Sequence, residues 1–166
     1  CHDVKYDENW NKVKHGGNIM QALNGSFQII NKYLKEMKRL GGYEDATIVI
    51  TGDHGSPEGN AKGAHRPALT ALFFKQAGQS SGALKHNKAQ VTHEEIWPAI
   101  LKSENLPCSL SNQSIFDIDQ NQNRTREYFW HNYASPMEEQ IYSINGAGKI
   151  KGNWKHVSTK TYNKFI

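Results

Sequence analysis

An α/β fold is what this sequence predicts. Apolar residues recur at helical spacing over residues 18–40, a β-branched run without alternation follows at 46–51, and a second strand and second helix come after it. Ile19, Leu23, Phe27, Ile30, Leu34 and Met37 fall on one face of a helix, because three- and four-residue steps track 3.6 residues per turn. Asn18 offers a side-chain cap at its start, and Gly41-Gly42 supplies the stop. Gly25 inside the helix costs about 1 kcal/mol relative to Ala, which a helix of this length tolerates.

The run Ala46-Thr47-Ile48-Val49-Ile50-Thr51 has no polar alternation, the pattern of a strand buried on both faces. A Gly/Ser/Pro/Asn-rich loop follows over 55–64, and residues 68–74 read as the next strand. Residues 77–88 read as loop. Thr92 begins a short helix with Ile96, Trp97, Ile100 and Leu101 as its expected buried side, and 103–127 is polar and irregular. Two aromatic-rich pieces, at 128–130 and 141–144, are expected to be edge strands, the second ending at a turn around Asn145-Gly146. With 166 residues the chain suits one domain with a core of its own.

Composition narrows the function classes. The net charge is +4 and the lysines are scattered, so nothing forms the basic stripe with interleaved aromatics of a nucleic-acid binder. No run approaches the roughly 18 apolar residues that cross a bilayer. Cys1 and Cys108 form neither a disulfide framework nor a CxxC metal pair. The chain opens on Cys1-His2-Asp3 rather than Met, which suggests a piece of a longer protein.

The chemistry concentrates at Thr51-Gly52-Asp53-His54-Gly55, where the apolar run ends. Loops at the carboxyl ends of strands gather polar groups over a rigid platform. Asp offers a hard anionic oxygen and His a neutral nitrogen, a donor pair suited to zinc or manganese. Both can ligate one ion if the backbone turns sharply, and Gly52 and Gly55 are expected to permit that turn.

The stretch "EDATIVITGDHGSPEGN" followed by "GAHRPALTALFFKQAG" resembles the alkaline phosphatase/sulfatase superfamily. "THEEIWPAIL" and "SIFDI" continue that likeness in order, and "REYFWHNY" and "IYSINGAGKIKGNWK" resemble the C-terminal strands of its lipoteichoic acid synthase-like and phosphoethanolamine transferase-like branch, which points to a bacterial cell-envelope protein. The resemblance covers about residues 1 to 155. It implies an alkaline phosphatase-like sandwich around a mixed sheet, of which residues 1–166 form the C-terminal part. It also implies Asp53 and His54 as metal ligands. Mn2+ is the expected ion, with Zn2+, Mg2+ and Ca2+ as alternatives. His65, in Gly63-Ala64-His65-Arg66-Pro67, would face the substrate phosphoryl group or a second metal, and His2, in "CHDVKY", would contact the phosphoryl oxygens, where preplaced donors meet accumulating negative charge. His15, His86, His93, His131 and His156 read as ordinary polar positions; His93 ahead of Glu94-Glu95 is explained by helix-start polarity.

Relatives of this kind need a nucleophile that also ligates the metal, threonine in the transferase branch and a modified cysteine or serine in sulfatases. By the resemblance that residue belongs to an N-terminal half of the domain. The resemblance therefore implies the C-terminal half of a metal-dependent phosphoglycerol- or phosphoethanolamine-type transferase or hydrolase, working at the extracytoplasmic face of the membrane. A sulfuric ester hydrolase on the same scaffold is the first alternative, and a non-catalytic binding module that keeps the fold is the second. The expected partners are a phosphate- or sulfate-ester substrate and the remaining part of the domain, not nucleic acid. Alone, the chain is expected to be soluble and catalytically silent, and to dimerise through surface that the missing part would cover.

Overall fold

The computed structural model describes residues 6–13, 18–55, 70–79, 82–109, 113–132 and 136–162. The elements run α1 (Ile19–Arg39), β1 (Ile48–Thr51), β2 (Leu72–Lys75), a 3₁₀ turn His93–Glu95 leading into α2 (Ile96–Ser103), then β3 (Thr125–Asn132), β4 (Met137–Asn145) and β5 (Trp154–Tyr162). The chain divides into two units, Cys1–Ile48 with Lys75–Gly82, and Val49–Phe74 with Ala83–Ile166. His2 and His65 lie outside the described residues. Among the described residues no helix is long and apolar enough to cross a membrane.

In the first unit α1 starts and stops where the sequence says. Asn18 accepts the Met20 N–H at 2.8 Å, satisfying one of the orphan donors of the first turn. At the far end Gly41, with φ of 78°, donates to Lys38 O, and Gly42 donates to Met37 O, the paired bonds of a Schellman stop. The apolar stripe stays thinly covered. Gly25 is the buried residue of α1, with the backbone of Asp7 and Glu8 passing close by. Ile19, Ile30, Leu34 and Met37 are half-buried, and Leu23 and Phe27 are exposed. After α1, Lys75 gathers the chain, its Nζ donating to Glu44 O, Ala46 O and Gln76 O while flanking the Tyr43 ring.

β1 and β2 form a two-stranded sheet. Thr51 lies across from Ala71, and Thr47 from Ala77, so partner numbers fall as strand numbers rise and the ladder is antiparallel. The expected double-sided burial of β1 is not what the structure has: Ile48, Val49 and Ile50 are half-buried and Thr51 is exposed. One paired neighbour cannot cover the edges and faces that such a run needs covered.

Among the described residues, the buried hydrophobic ones are Ala99, Ile115, Ile118 and Ile144, all in the second unit. Here the face of α2 differs from the expected one. Pro98 and Ala99 are buried, Ile96, Ile100 and Leu101 are half-buried, and Trp97 points outward. The cause is Glu95, which is itself buried. Its Oε2 accepts the Thr92 N–H at 2.5 Å and the Thr92 hydroxyl at 3.2 Å, the reach-back half of a capping box. Its Oε1 accepts Arg124 Nη2 at 2.6 Å, while Arg124 Nη1 donates to Gln90 O at 2.9 Å. Turning Glu95 inward puts Pro98 and Ala99, three and four residues on, against the core. Pro98 fits the first turn, where its missing N–H costs nothing. The Ile115 N–H donates to Glu95 O, Lys102 pairs with Asp117, and Phe116 meets Phe74 edge-on at 4.9 Å.

β3, β4 and β5 make an antiparallel sheet with β4 in the centre. The piece around 141–144 was expected at an edge; it is the middle strand, paired on one side through Phe129↔Ile141 and on the other through Ile144↔Trp154. β5 was not anticipated. One sheet face carries Tyr128, Tyr142, Trp154 and His156, whose rings meet edge-to-face at 5.3 to 6.2 Å. Burial pushes the Tyr128 and Tyr142 phenols above their ordinary range. The predicted turn forms at Gly146, with φ of 92°.

The Glu95–Arg124 pair should behave as a buried ion pair. Arg124→Met is expected to cost about 3 kcal/mol in urea unfolding, by leaving the carboxylate uncompensated, and adding Glu95→Gln is expected to return most of it. A single-variant loss under about 0.5 kcal/mol, the size of a surface pair, would contradict this.

Candidate metal-binding site

β1 delivers its polar loop to the end of the two-stranded ladder. The Thr51 hydroxyl donates to Ala71 O at 2.9 Å and ties the strand end to its neighbour. Gly52 follows, and it is needed there for space: a Cβ at this position would stand 2.4 Å from the Thr70 hydroxyl oxygen and 3.1 Å from His54 O. Its φ lies outside the left-handed region, so the expectation that it turns through a conformation closed to other residues does not hold. Close approach is the reason for glycine.

The side chains of Asp53 and His54 stand close together. Asp53 Oδ1 accepts the His54 N–H at 2.9 Å, which holds the carboxylate over its neighbour. Asp53 Oδ2 lies 3.7 Å from His54 Nε2. On the other side of the ring, His54 Nδ1 is 2.7 Å from Gly55 O. A carbonyl only accepts, so Nδ1 carries the hydrogen and neutral His54 keeps a lone pair on Nε2. That is the tautomer of a metal-ligating histidine, whose second nitrogen donates to a carbonyl or carboxylate. Nε2 and Oδ2 are then two lone-pair donors facing one another.

The donor set fits a divalent ion. Bonds of about 2.0–2.2 Å to nitrogen and oxygen place two donors of one tetrahedral ion roughly 3.4 Å apart, a few tenths of an ångström closer than they stand here. The Asp53 side chain is 89% exposed and that of His54 53%, so both are open to solvent. Among the described residues no cluster of three or more His, Cys, Asp or Glu could hold a metal ion. A hollow of about 230 Å³ is lined by Lys38, Gly41, Tyr43 and Glu44 and includes no candidate residue.

One residue at this loop was missed by sequence reasoning. His93 Nε2 lies 3.1 Å from Gly52 O and 3.4 Å from Thr51 Oγ1. Forty-one residues separate His93 from Gly52, so no local pattern could have announced it. Only the capping box at Thr92–Glu95 was a usable signal, since it fixes which way the first turn of α2 faces.

Gly52→Ala is expected to lower stability by about 1 kcal/mol through overpacking against Thr70, read as the urea midpoint. Thr70→Ala in the same chain is expected to remove most of that cost; equal costs with and without Thr70 would contradict the contact.

No family model, curated protein or solved structure matches the chain.

Proposed function

We propose that this chain carries one wall of a divalent-metal site for phosphoryl transfer, with Asp53 and His54 as its two protein ligands. The observation that carries this is the His54 ring, held by Nδ1–H to Gly55 O so that Nε2 faces the Asp53 carboxylate. Two acceptors arranged face to face gain little until a cation lies between them. In the intact domain the chain would be the C-terminal part of an alkaline phosphatase-like sandwich in a phosphoglycerol- or phosphoethanolamine-type transferase or hydrolase. The likeness of "TIVITGDHG", "GAHRPALTALFF" and "THEEIWPAIL" to that superfamily, in sequence order, supports this assignment.

Asp53 contributes charge and a hard oxygen, and its second oxygen stays on the His54 N–H, which keeps the carboxylate from rotating away. His54 contributes a neutral nitrogen whose tautomer is set by Gly55. His65 and His2 are proposed to donate to the phosphoryl oxygens, as positioned donors stabilise charge that develops in the transition state. A bound divalent ion, Mn2+ in the first instance, supplies positive charge that screens those oxygens. Catalytic sites of this type use at least three protein ligands, so the nucleophile and remaining ligands are proposed to come from another part of the same domain.

Substoichiometric Mn2+ tests the ligand pair directly on an isotope-labelled chain. The Asp53, His54 and Gly55 amide signals are expected to broaden first. Asp53→Asn is expected to weaken the effect by about tenfold or more, as loss of a charged ligand should. Equal broadening in the variant, or broadening centred elsewhere, would overturn the assignment.

A further inference from the structure

We infer that His93 is a positioning residue for the metal loop: its Nε2–H holds the Gly52 carbonyl and so fixes the turn that presents Asp53 and His54. This rests on the metal-site proposal above and extends it to a residue with no place in that ligand set. The hydrogen is on Nε2, because the carbonyl it faces can only accept. Gly52 O is a carbonyl, 3.1 Å away. The Thr51 hydroxyl, 3.4 Å away, has two acceptors in reach, Ala71 O at 2.9 Å and Gly52 O at 3.2 Å; its single hydrogen goes to the nearer, Ala71 O, and its lone pairs remain free to accept. In their neutral forms His93 and His54 are thus opposite tautomers, one donating through Nε2 and the other through Nδ1.

The bond falls on the peptide unit that precedes Asp53. Gly52 has no side chain to lock that unit by packing, and glycine keeps more backbone freedom than other residues. Without a grip on its carbonyl, the 52–53 peptide could rotate and carry the carboxylate away from His54. His93 can provide the grip because it is itself held. Thr92 beside it is bonded to the buried Glu95, and Glu95 to Arg124. A continuous path therefore runs from Arg124 through Glu95 and Thr92 to His93, then to Gly52 and the ligand pair, all in the second unit. Outer partners of this kind tune metal sites by orienting ligands rather than by touching the ion.

The test uses the full chain, His93→Leu, which cannot donate, and His93→Gln, whose amide can. Three readings are taken: the imidazole tautomers from long-range proton–nitrogen correlations, amide exchange at 53–55 without metal, and broadening of the same amides by Mn2+. The wild-type chain is expected to show His93 as the Nε2–H and His54 as the Nδ1–H tautomer. His93→Leu is expected to speed exchange at 53–55 and weaken Mn2+ binding about tenfold, with His93→Gln returning binding to within about twofold. Exchange in β4 should stay constant across all three chains. The inference is overturned if His93→Leu leaves exchange at 53–55 unchanged, or if Gln does no better than Leu. Failure of the metal proposal looks different: a wild-type chain indifferent to Mn2+ that still shows His93-dependent exchange loses the metal and keeps the clamp.

Discussion

The second unit is organised around one buried carboxylate. Glu95 is 5% exposed, and taking such a charge out of water costs several kcal/mol unless it is fully partnered. Arg124 and the Thr92 backbone and hydroxyl together meet that demand. Meeting it decides three other things. It rotates α2 so that Pro98 and Ala99 face the core, it ties the start of β3 to the start of the helix, and it sets His93 against the end of β1. Removing the charge pair would therefore disturb the polar loop without touching either proposed ligand.

The loop depends on geometry more than on burial. Asp53 and His54 are open to solvent, so their arrangement is worth little as an ion pair in its own right. What fixes it is a set of bonds from the backbone: His54 N–H to Asp53, His54 Nδ1–H to Gly55, Thr51 to Ala71 and His93 to Gly52. In the first unit, the apolar residues Met20, Leu23, Phe27, Tyr33 and Leu40 on and just after α1 are exposed.

What the sequence revealed follows from what each element depends on. α1 was legible because its periodicity, its Asn18 cap and its Gly41-Gly42 stop are all local. β1 was legible as a strand but not in its burial, which depends on neighbours rather than on the run itself. α2 was found, yet its inward face was misjudged, because hydrophobic spacing cannot know that a glutamate has found an arginine 29 residues away. β5, Trp154–Tyr162, carries Lys, Ser and Thr where an apolar alternation would be read, and it is a strand because β4 pairs with it. Of the proposed site, Asp53 and His54 stood out at a strand end, but their proposed ligand role came from the resemblance. His93 did not stand out, since its role exists only once two distant segments meet. His2 and His65 lie outside the described residues, and their part is carried by the resemblance alone.

The central claim, that Asp53 and His54 jointly hold one divalent ion, is tested most directly by anomalous diffraction from crystals of this chain soaked in Mn2+. The account predicts a single strong peak within about 2.2 Å of both Asp53 Oδ2 and His54 Nε2, with His54 Nδ1 still on Gly55 O. A peak bound to either residue alone, or Mn2+ placed elsewhere with the pair unchanged at 3.7 Å, would contradict it.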